Sequence, residues 1–343
     1  MATLLSAADQ ALGRLDGSTG LLPNPDLFIF MYVRKEAVLS SQIEGTQASL
    51  MDVLEFEGQA VELGQPKDVG EVVNYVAAMN LGIERLNTLP VSLRLIREIH
   101  AQLMRGVRGA ERTPGEFRRS QNWVGPPNTP ITVALYVPPP PQEMKVSLHD
   151  FEKFLHAAAP MPALIKVGLA HAQFETIHPF LDGNGRVGRL LITFLLYERK
   201  VLRQPLLYLS TYLKEHRDEY YARLQAVRDQ GDWEGWLKFF LRGIREVSQE
   251  AVQTAHRIVR MREEHRSQLL QMTGRTGPAL TLLESLYWQP VVGVTHVIER
   301  TGLAFPNANN LVNRFVELGL LREITGRKRD RRFAYQPYLD LFA

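Results

Sequence analysis

The sequence predicts a mainly α-helical protein: a large helical core interrupted by one short β-hairpin, then a small winged helix-turn-helix domain. Three observations carry this expectation. Apolar residues recur every three to four positions through seven long stretches, the pattern of a helix with one buried face. That periodicity fails over 115–141, which is rich in glycine and proline. Beyond a break at 273–277, three short helical patterns and a basic segment fill the tail.

Taken in order, the N-terminal helical region, 1–90, holds the stretches 28–41 and 69–87. The core, 91–245, holds 92–105, 146–156, 164–177, 186–199 and 215–230. Within 115–141, Gly125-Pro126-Pro127-Asn128 reads as a turn, while Ile131-Thr132-Val133 and Tyr136-Val137 read as short extended arms. The prolines at 138–141 join two core elements, so they read as a stiff strut rather than a polyproline ligand. A long charged helix, roughly 244–272, and a linker make up the connection 246–276. The domain 277–343 then offers helices at 278–288, 293–301 and 305–318 and a basic wing at 321–335.

Composition narrows the class. With 343 residues, 45% of them hydrophobic, the chain can bury one large core plus a smaller one. It has no cysteine, which removes disulfides and thiolate zinc sites and agrees with a reducing cytoplasm, the expected location. The N-terminus lacks a basic region followed by a sustained apolar stretch, and the longest apolar run, 190–197, is too short to span a bilayer. No membrane partner is expected. The net charge of +3 is local: 321–332 carries six basic and two acidic residues, leaving the remainder at −1.

Chemistry concentrates in residues 178–189, His-Pro-Phe-Leu-Asp-Gly-Asn-Gly-Arg-Val-Gly-Arg. Gly183 and Gly185 lack a Cβ and so let successive N–H groups turn toward one anion. The helical pattern beginning at Arg186 adds its positive dipole end. Arg186 and Arg189 lie one turn apart where cations are normally disfavoured, which suggests an external polyanion such as a nucleotide polyphosphate. Asp182 suits the divalent ion that accompanies such a ligand, and His178 suits removal of a proton from an incoming hydroxyl.

This run resembles the signature of Fic-domain proteins, His-x-Phe-x-Asp/Glu-Gly-Asn-Gly-Arg-x-x-Arg, at every defining position. The resemblance implies a Fic-type helical core and an enzyme that transfers AMP from ATP to a hydroxyl side chain of a protein target or of itself, releasing pyrophosphate. It implies His178 as general base, Asp182 as Mg²⁺ ligand, and Gly183, Asn184, Gly185, Arg186, Val187, Gly188 and Arg189 around the nucleotide. The phosphorylating branch of the family departs from the Gly-Asn-Gly-Arg core, which is intact here, so nucleotidyl transfer is favoured.

Two further segments take meaning from the resemblance. Ser40 and Glu44 stand one helical turn apart, with Gly45 as a stop. Ser40-x-x-x-Glu44-Gly45 is similar to the family's inhibitory motif, carried on a helix at about 28–45. Glu44 would then pair with Arg189 and occupy the cation that the γ-phosphate needs. The hairpin region, opened by Gly115-Glu116-Phe117-Arg118, stands where the family carries its flap, so Pro130, Ile131, Thr132 and Val133 are expected to dock an extended piece of the target.

Tyr220 and Tyr221 resemble a Tyr-Tyr pair near the adenine, in competition with core packing. His171 and Glu175 read as a structural pair, with no third ligand for zinc. In the tail, Asn307, Asn309, Asn310, Asn313 and Arg314 face the bases if the domain binds DNA. Protein docking, or a homodimer, is the competing role. The alternatives to AMP transfer are AMP removal by the same fold and a nucleotide-sensing DNA-binding regulator.

Overall fold

A computed structural model describes the chain except for residues 20–24, 59–67, 126–128, 159, 272–275 and 343. The chain divides into two compact units. The first comprises Met1–Gly17, Glu36–Ala48 and Lys67–Ala251; the second comprises Ser18–Lys35, Ser49–Pro66 and Val252–Ala343.

The first unit is built from α1 (Ala2–Thr19), the latter half of α2 (Pro25–Ile43), α4 (Val69–Arg85), α5 (Leu93–Leu103), α6 (Pro141–His156), α7 (Ala163–Ile177), α8 (Asn184–Glu198), α9 (Ser210–Glu215), α10 (Arg217–Gln230) and the start of α11 (Trp233–Leu270). Its centre is the antiparallel pair α7 and α8, which is buried nearly all round. Leu164, Val167, Phe174 and Ile177 of α7 and Val187, Leu190, Leu191 and Phe194 of α8 are all buried in this apolar layer, so neither helix shows the one-sided stripe of a surface helix. Helix α4 reaches the layer because Gly82 has no side chain: a Cβ there would collide with the Phe194 ring. Such a close backbone approach is a use of glycine that a periodicity argument does not see.

Helix termini follow local chemistry. Ser92 caps α5 by accepting from Leu95 N at 3.4 Å, and α6 opens with Pro141 at its first position, earlier than the periodicity suggested. Helices α1, α3 (Leu50–Glu57) and α9, and a short one at Gln336–Leu339, lay outside the expectation, two of them for evident reasons. One is α1, with Gly13 and Gly17 weakening its pattern; the other is α3, held by a capping box between Ser49 and Asp52.

Among its described residues, segment 115–141 closes on a single antiparallel bridge, Val124 with Tyr136, instead of a strand ladder. Ile131–Val133 is a turn of 3₁₀ helix that follows Pro130. The prolines at 138–140 have no N–H to donate, which stops the ladder from extending past the bridge. The turn residues 126–128 lie outside the described residues.

The second unit contains α3 and, in its C-terminal part, α12 (Thr276–Leu286), β1 (Val291–Gly293), α13 (Val294–Thr301), α14 (Phe305–Glu317), β2 (Arg322–Glu323), β3 (Arg332–Ala334) and α15 (Gln336–Leu339). The strands form one antiparallel sheet in the order β1-β3-β2, with Val292 opposite Phe333 and Phe333 opposite Glu323. Leu282, Leu286, Val297, Val312, Phe315 and Phe333 form its core. The linker expected at 273–277 lies outside the described residues up to 275, and Thr276 and Gly277 already belong to α12.

Candidate active site

Helix α7 ends on His178, the first residue of the candidate site. His178 takes the left-handed conformation, φ 49° and ψ 60°, which is uncommon for a residue with a Cβ. Its carbonyl is held by Arg118 Nε at 3.0 Å and Asn122 Nδ2 at 3.3 Å. Asn122 also donates to Phe180 O at 2.8 Å, and Arg118 N donates to Pro179 O at 2.9 Å. The base of the hairpin segment therefore clamps the strained turn in place. Burial, reinforced by the Arg228 charge, pushes the His178 imidazole down to about 4. The ring is neutral at physiological pH, and its Nδ1 is buried without a hydrogen-bond partner.

From His178 the chain loops to α8. Phe180 N donates to Asn184 Oδ1 and Asn184 Nδ2 donates to Phe180 O, each at 2.8 Å, so the Asn184 amide closes the loop on itself. His100 stacks on Phe180 with 3.7 Å between ring centres. Gly115 N donates to His100 Nδ1 at 2.8 Å, which leaves Nε2 carrying the proton and donating to Asp182 O at 3.0 Å. Burial pushes His100 down to about 4, in keeping with that neutral tautomer.

Gly183, with φ 76°, is the N-cap of α8 and gives it no side-chain cap. A Cβ at Gly185 would run into Glu44 Oε1, so the Glu44 carboxylate lies directly over the glycine turn. Val187 points into the core. Gly188 lies against Phe174 and Glu175, its carbonyl accepting from His171 Nδ1 at 2.9 Å.

Both arginines are buried, and each has a carboxylate supplied by the protein. Arg186 Nη1 meets Glu71 Oε2 at 2.8 Å, where both side chains are 2% exposed. Arg189 donates Nε to Ser40 Oγ at 2.7 Å, and Nη2 to Ser40 O at 2.9 Å and Glu44 Oε1 at 2.7 Å. An external polyanion is thus not needed to neutralise these cations in the resting molecule.

Glu44 stands just past the end of α2, where Gly45 (φ 98°) and the bond from Thr46 N to Ser41 O turn the chain. Burial works against the charge on Glu44, but Arg189, with Arg186 and His178 adding, outweighs it and holds the carboxyl below its ordinary value. Burial likewise opposes the charge on Arg189, and Glu44 more than offsets it. One turn before Ser40, the buried Glu36 accepts from Ser210 Oγ at 2.6 Å and Tyr75 OH at 3.1 Å. Helix α2 therefore brings a polar stripe, Glu36, Ser40 and Glu44, onto the site.

Asp182 is 31% exposed and accepts from Gly183 N at 2.6 Å. No group of three metal-binding side chains occurs among the described residues. One carboxylate fits Mg²⁺ only where phosphate oxygens and water complete the shell, the usual arrangement for nucleotide-bound magnesium.

Tyr220 is buried and donates its hydroxyl to His171 Nε2 at 2.9 Å, so it ties α10 to α7, whose His171 in turn reaches Gly188 O of α8. Tyr221 is 38% exposed, and burial of its hydroxyl, with the Glu44 charge adding, pushes that group up to about 12. Pro130, Ile131, Thr132 and Val133 are exposed at the tip of the hairpin segment, whose base is tied down by Tyr136 OH donating to Thr176 O at 2.7 Å. Sequence reasoning missed Glu71, His100 and Asn122. The only local hint for Glu71 is an acidic residue on the same helical face as Tyr75 and Ala78.

Residues 2–84 match the Fic/DOC family N-terminal model and residues 90–196 match the Fic/DOC family model. This chain belongs to the Fic/DOC family. Proteins named protein adenylyltransferase Fic from Aedes aegypti and Culex quinquefasciatus are 33% and 32% identical to it over 209 residues, which is 57% of this chain and 37% of theirs. The chain therefore spans well under half the length of these curated relatives. A crystal structure of a Fic family protein from Desulfovibrio desulfuricans G20 shares the fold, with a TM-score of 0.63 at 23% identity over 97% of this chain and 95% of that one. The Fic/DOC match at 90–196 ends inside α8 and contains every residue from His178 to Arg189.

Proposed function

We propose that the protein is an autoinhibited protein adenylyltransferase, moving AMP from ATP to a hydroxyl side chain of a protein target or of itself. The observation that carries this reading is a neutral, clamped His178 beside an uncapped helix N-terminus bearing two arginines. His178 takes the proton of the attacking hydroxyl as its oxygen bonds to the α-phosphorus. The bond from that phosphorus to the bridging oxygen of pyrophosphate breaks. Arg186, Arg189 and the N–H groups that open α8 balance the charge that builds on the departing pyrophosphate. Asp182 would hold Mg²⁺, which supplies further charge neutralisation to the phosphates.

In the resting state Glu44 occupies Arg189 and covers Gly185, so a triphosphate entering the same turn meets both a carboxylate and a filled cradle. Tyr221, whose hydroxyl feels the charges of Glu44 and Arg189, is the better placed of the two tyrosines to meet the nucleotide. The exposed tip at 130–133 is the docking edge for the target. His178→Ala should abolish label transfer from α-labelled ATP while leaving nucleotide binding within a few-fold; unchanged labelling would refute the base.

A second reading, of a winged helix-turn-helix module that binds duplex DNA, is favoured by one feature of the second unit. Arg327, Lys328 and Arg329 are exposed consecutive cations that pair with no described residue. They border a groove of about 1130 Å³ lined also by His296, Phe305 and Asn309. Asn307 and Asn310 are exposed on α14, whereas Asn309 is engaged by Arg331 Nη2 at 2.9 Å. Binding to a random duplex should weaken steeply with salt, and neutralising the three cations should lower the log–log slope by about 2–3.

A further inference from the structure

Between α5 and Gly115 the chain makes a turn, 104–112, to which neither the motif nor the mechanism above gives a role. It winds through two left-handed glycines, Gly106 at φ 68° and Gly109 at φ 84°, and Asn74 Nδ2 pins it by donating to Arg105 O at 2.7 Å. Gly109 rests on the site itself: a Cβ there would lie 2.9 Å from Asp182 Oδ2. Only glycine permits this approach together with this backbone.

The turn presents two arginines, Arg108 and Arg112, which are 64% and 53% exposed. Arg108 Nε lies 3.4 Å from Glu71 Oε1, and Arg112 Nη1 lies 3.6 Å from Asp182 Oδ2. The opposite oxygens of the same two carboxylates face Arg186, at 2.8 and 3.8 Å. Five charges thus alternate in a row: Arg108, Glu71, Arg186, Asp182, Arg112. Glu111 Oε1, on a 74% exposed side chain, lies 3.7 Å from Arg112 Nε and balances the charge of the row, while Arg186 Nε is buried beside the open end of α8 without a hydrogen-bond partner. Long, exposed ion pairs contribute about 0–1 kcal/mol to folding, so stability does not account for the arrangement.

We infer that the 104–112 turn is a second wall of the phosphate site, and that Arg108 and Arg112 take the pyrophosphate end of a nucleoside triphosphate. This rests on the AMP-transfer reading and adds a subsite to it. Both guanidiniums carry only long contacts and reach the phosphates by rotating side chains, with no movement of the backbone. They bind the leaving portion and not the AMP portion, which separates them from the machinery around His178.

The test uses inorganic pyrophosphate and AMP as separate probes, each measured by calorimetry in magnesium buffer on a Glu44→Gly parent with and without Arg108→Gln plus Arg112→Gln. Pyrophosphate affinity should fall about tenfold in the double variant, the loss of two charge-assisted contacts, while AMP affinity stays within twofold. Arg108→Lys plus Arg112→Lys should recover most of the loss. Unchanged pyrophosphate affinity, or equal losses for both probes, overturns the subsite and leaves the transfer reading standing. If the parent binds neither probe nor ATP, both fall together.

Discussion

Arg186 and Arg189 sit one turn apart at the start of the same helix, equally buried, yet the protein neutralises them by different means. The partner of Arg186 is Glu71, as buried as Arg186 itself, from a helix packed into the core. Glu44, the partner of Arg189, is 31% exposed and stands at the tip of α2 beyond the last helical residue. One pair is part of the fold. The other is open to water on the Glu44 side, and Ser40 holds the same guanidinium through two further bonds. A cation that keeps its geometry while its counter-ion is replaceable is what a site needs if a phosphate is to take the place of a carboxylate.

The largest expected effect lies on the Arg186 side. Glu71→Ala removes the short, buried partner of the Arg186 guanidinium and leaves it only the longer contact with Asp182 at 3.8 Å, which should cost about 3–5 kcal/mol, read as a fall in denaturant midpoint. A loss below about 1 kcal/mol would erase the distinction between the two pairs.

Next comes Glu175, whose carboxyl lies against Gly188 and feels both Arg189 and Glu44. Burial raises it from 4.5 to about 7. Its charged form is therefore disfavoured in the fold: stability that is full below about pH 4.5 is lost as pH rises through 7. Glu175→Gln should gain on the wild type over that interval by about 2–3 kcal/mol, measured as the difference in unfolding free energy between pH 5 and pH 8. His100, His171 and His178, each held at about 4, act in the opposite sense and cost stability as pH falls from 6.5 to 4. They are common to both proteins and cancel in the comparison.

Smaller still is Ser40→Ala, which removes one bond to Arg189 and leaves Glu44 in place. It should cost about 1 kcal/mol and raise self-labelling less than loss of Glu44 does. Self-labelling equal to that of Glu44→Gly would mean that Ser40, not the carboxylate, restrains the site.

How much of this was legible in the sequence follows from the distance between partners. The run from His178 to Arg189 was readable because glycines, a base and cations within twelve residues leave few bland explanations, and the longer helices of the core followed from periodicity while α1, α3 and α9 did not. Glu71 was not readable, since it lies 115 residues from Arg186 and nothing near it in the chain marks it as a counter-ion. The pairing of Glu44 with Arg189, 145 residues apart, came into view only through a motif resemblance. Tyr220 and Tyr221 look alike as a dipeptide, but successive residues on a helix point about 100° apart, and only the packing shows which one braces His171. Of the hairpin expected at 115–141, the described residues hold one bridge, Val124 with Tyr136; Ile131–Val133, expected as an extended arm, is a 3₁₀ turn, and the prolines beyond Val137 cannot donate to a longer ladder.

The central claim, that Glu44 silences an AMP-transfer site by occupying Arg189, is tested most directly by intact-mass measurement after incubation with ATP and Mg²⁺. Wild type and Glu44→Gly are compared, with Glu44→Gly plus His178→Ala as the control. The account predicts little change in the wild type, one or more added AMP units on Glu44→Gly, and none on the double variant. Equal modification of wild type and Glu44→Gly, or none on either in the presence of bound ATP, would contradict it.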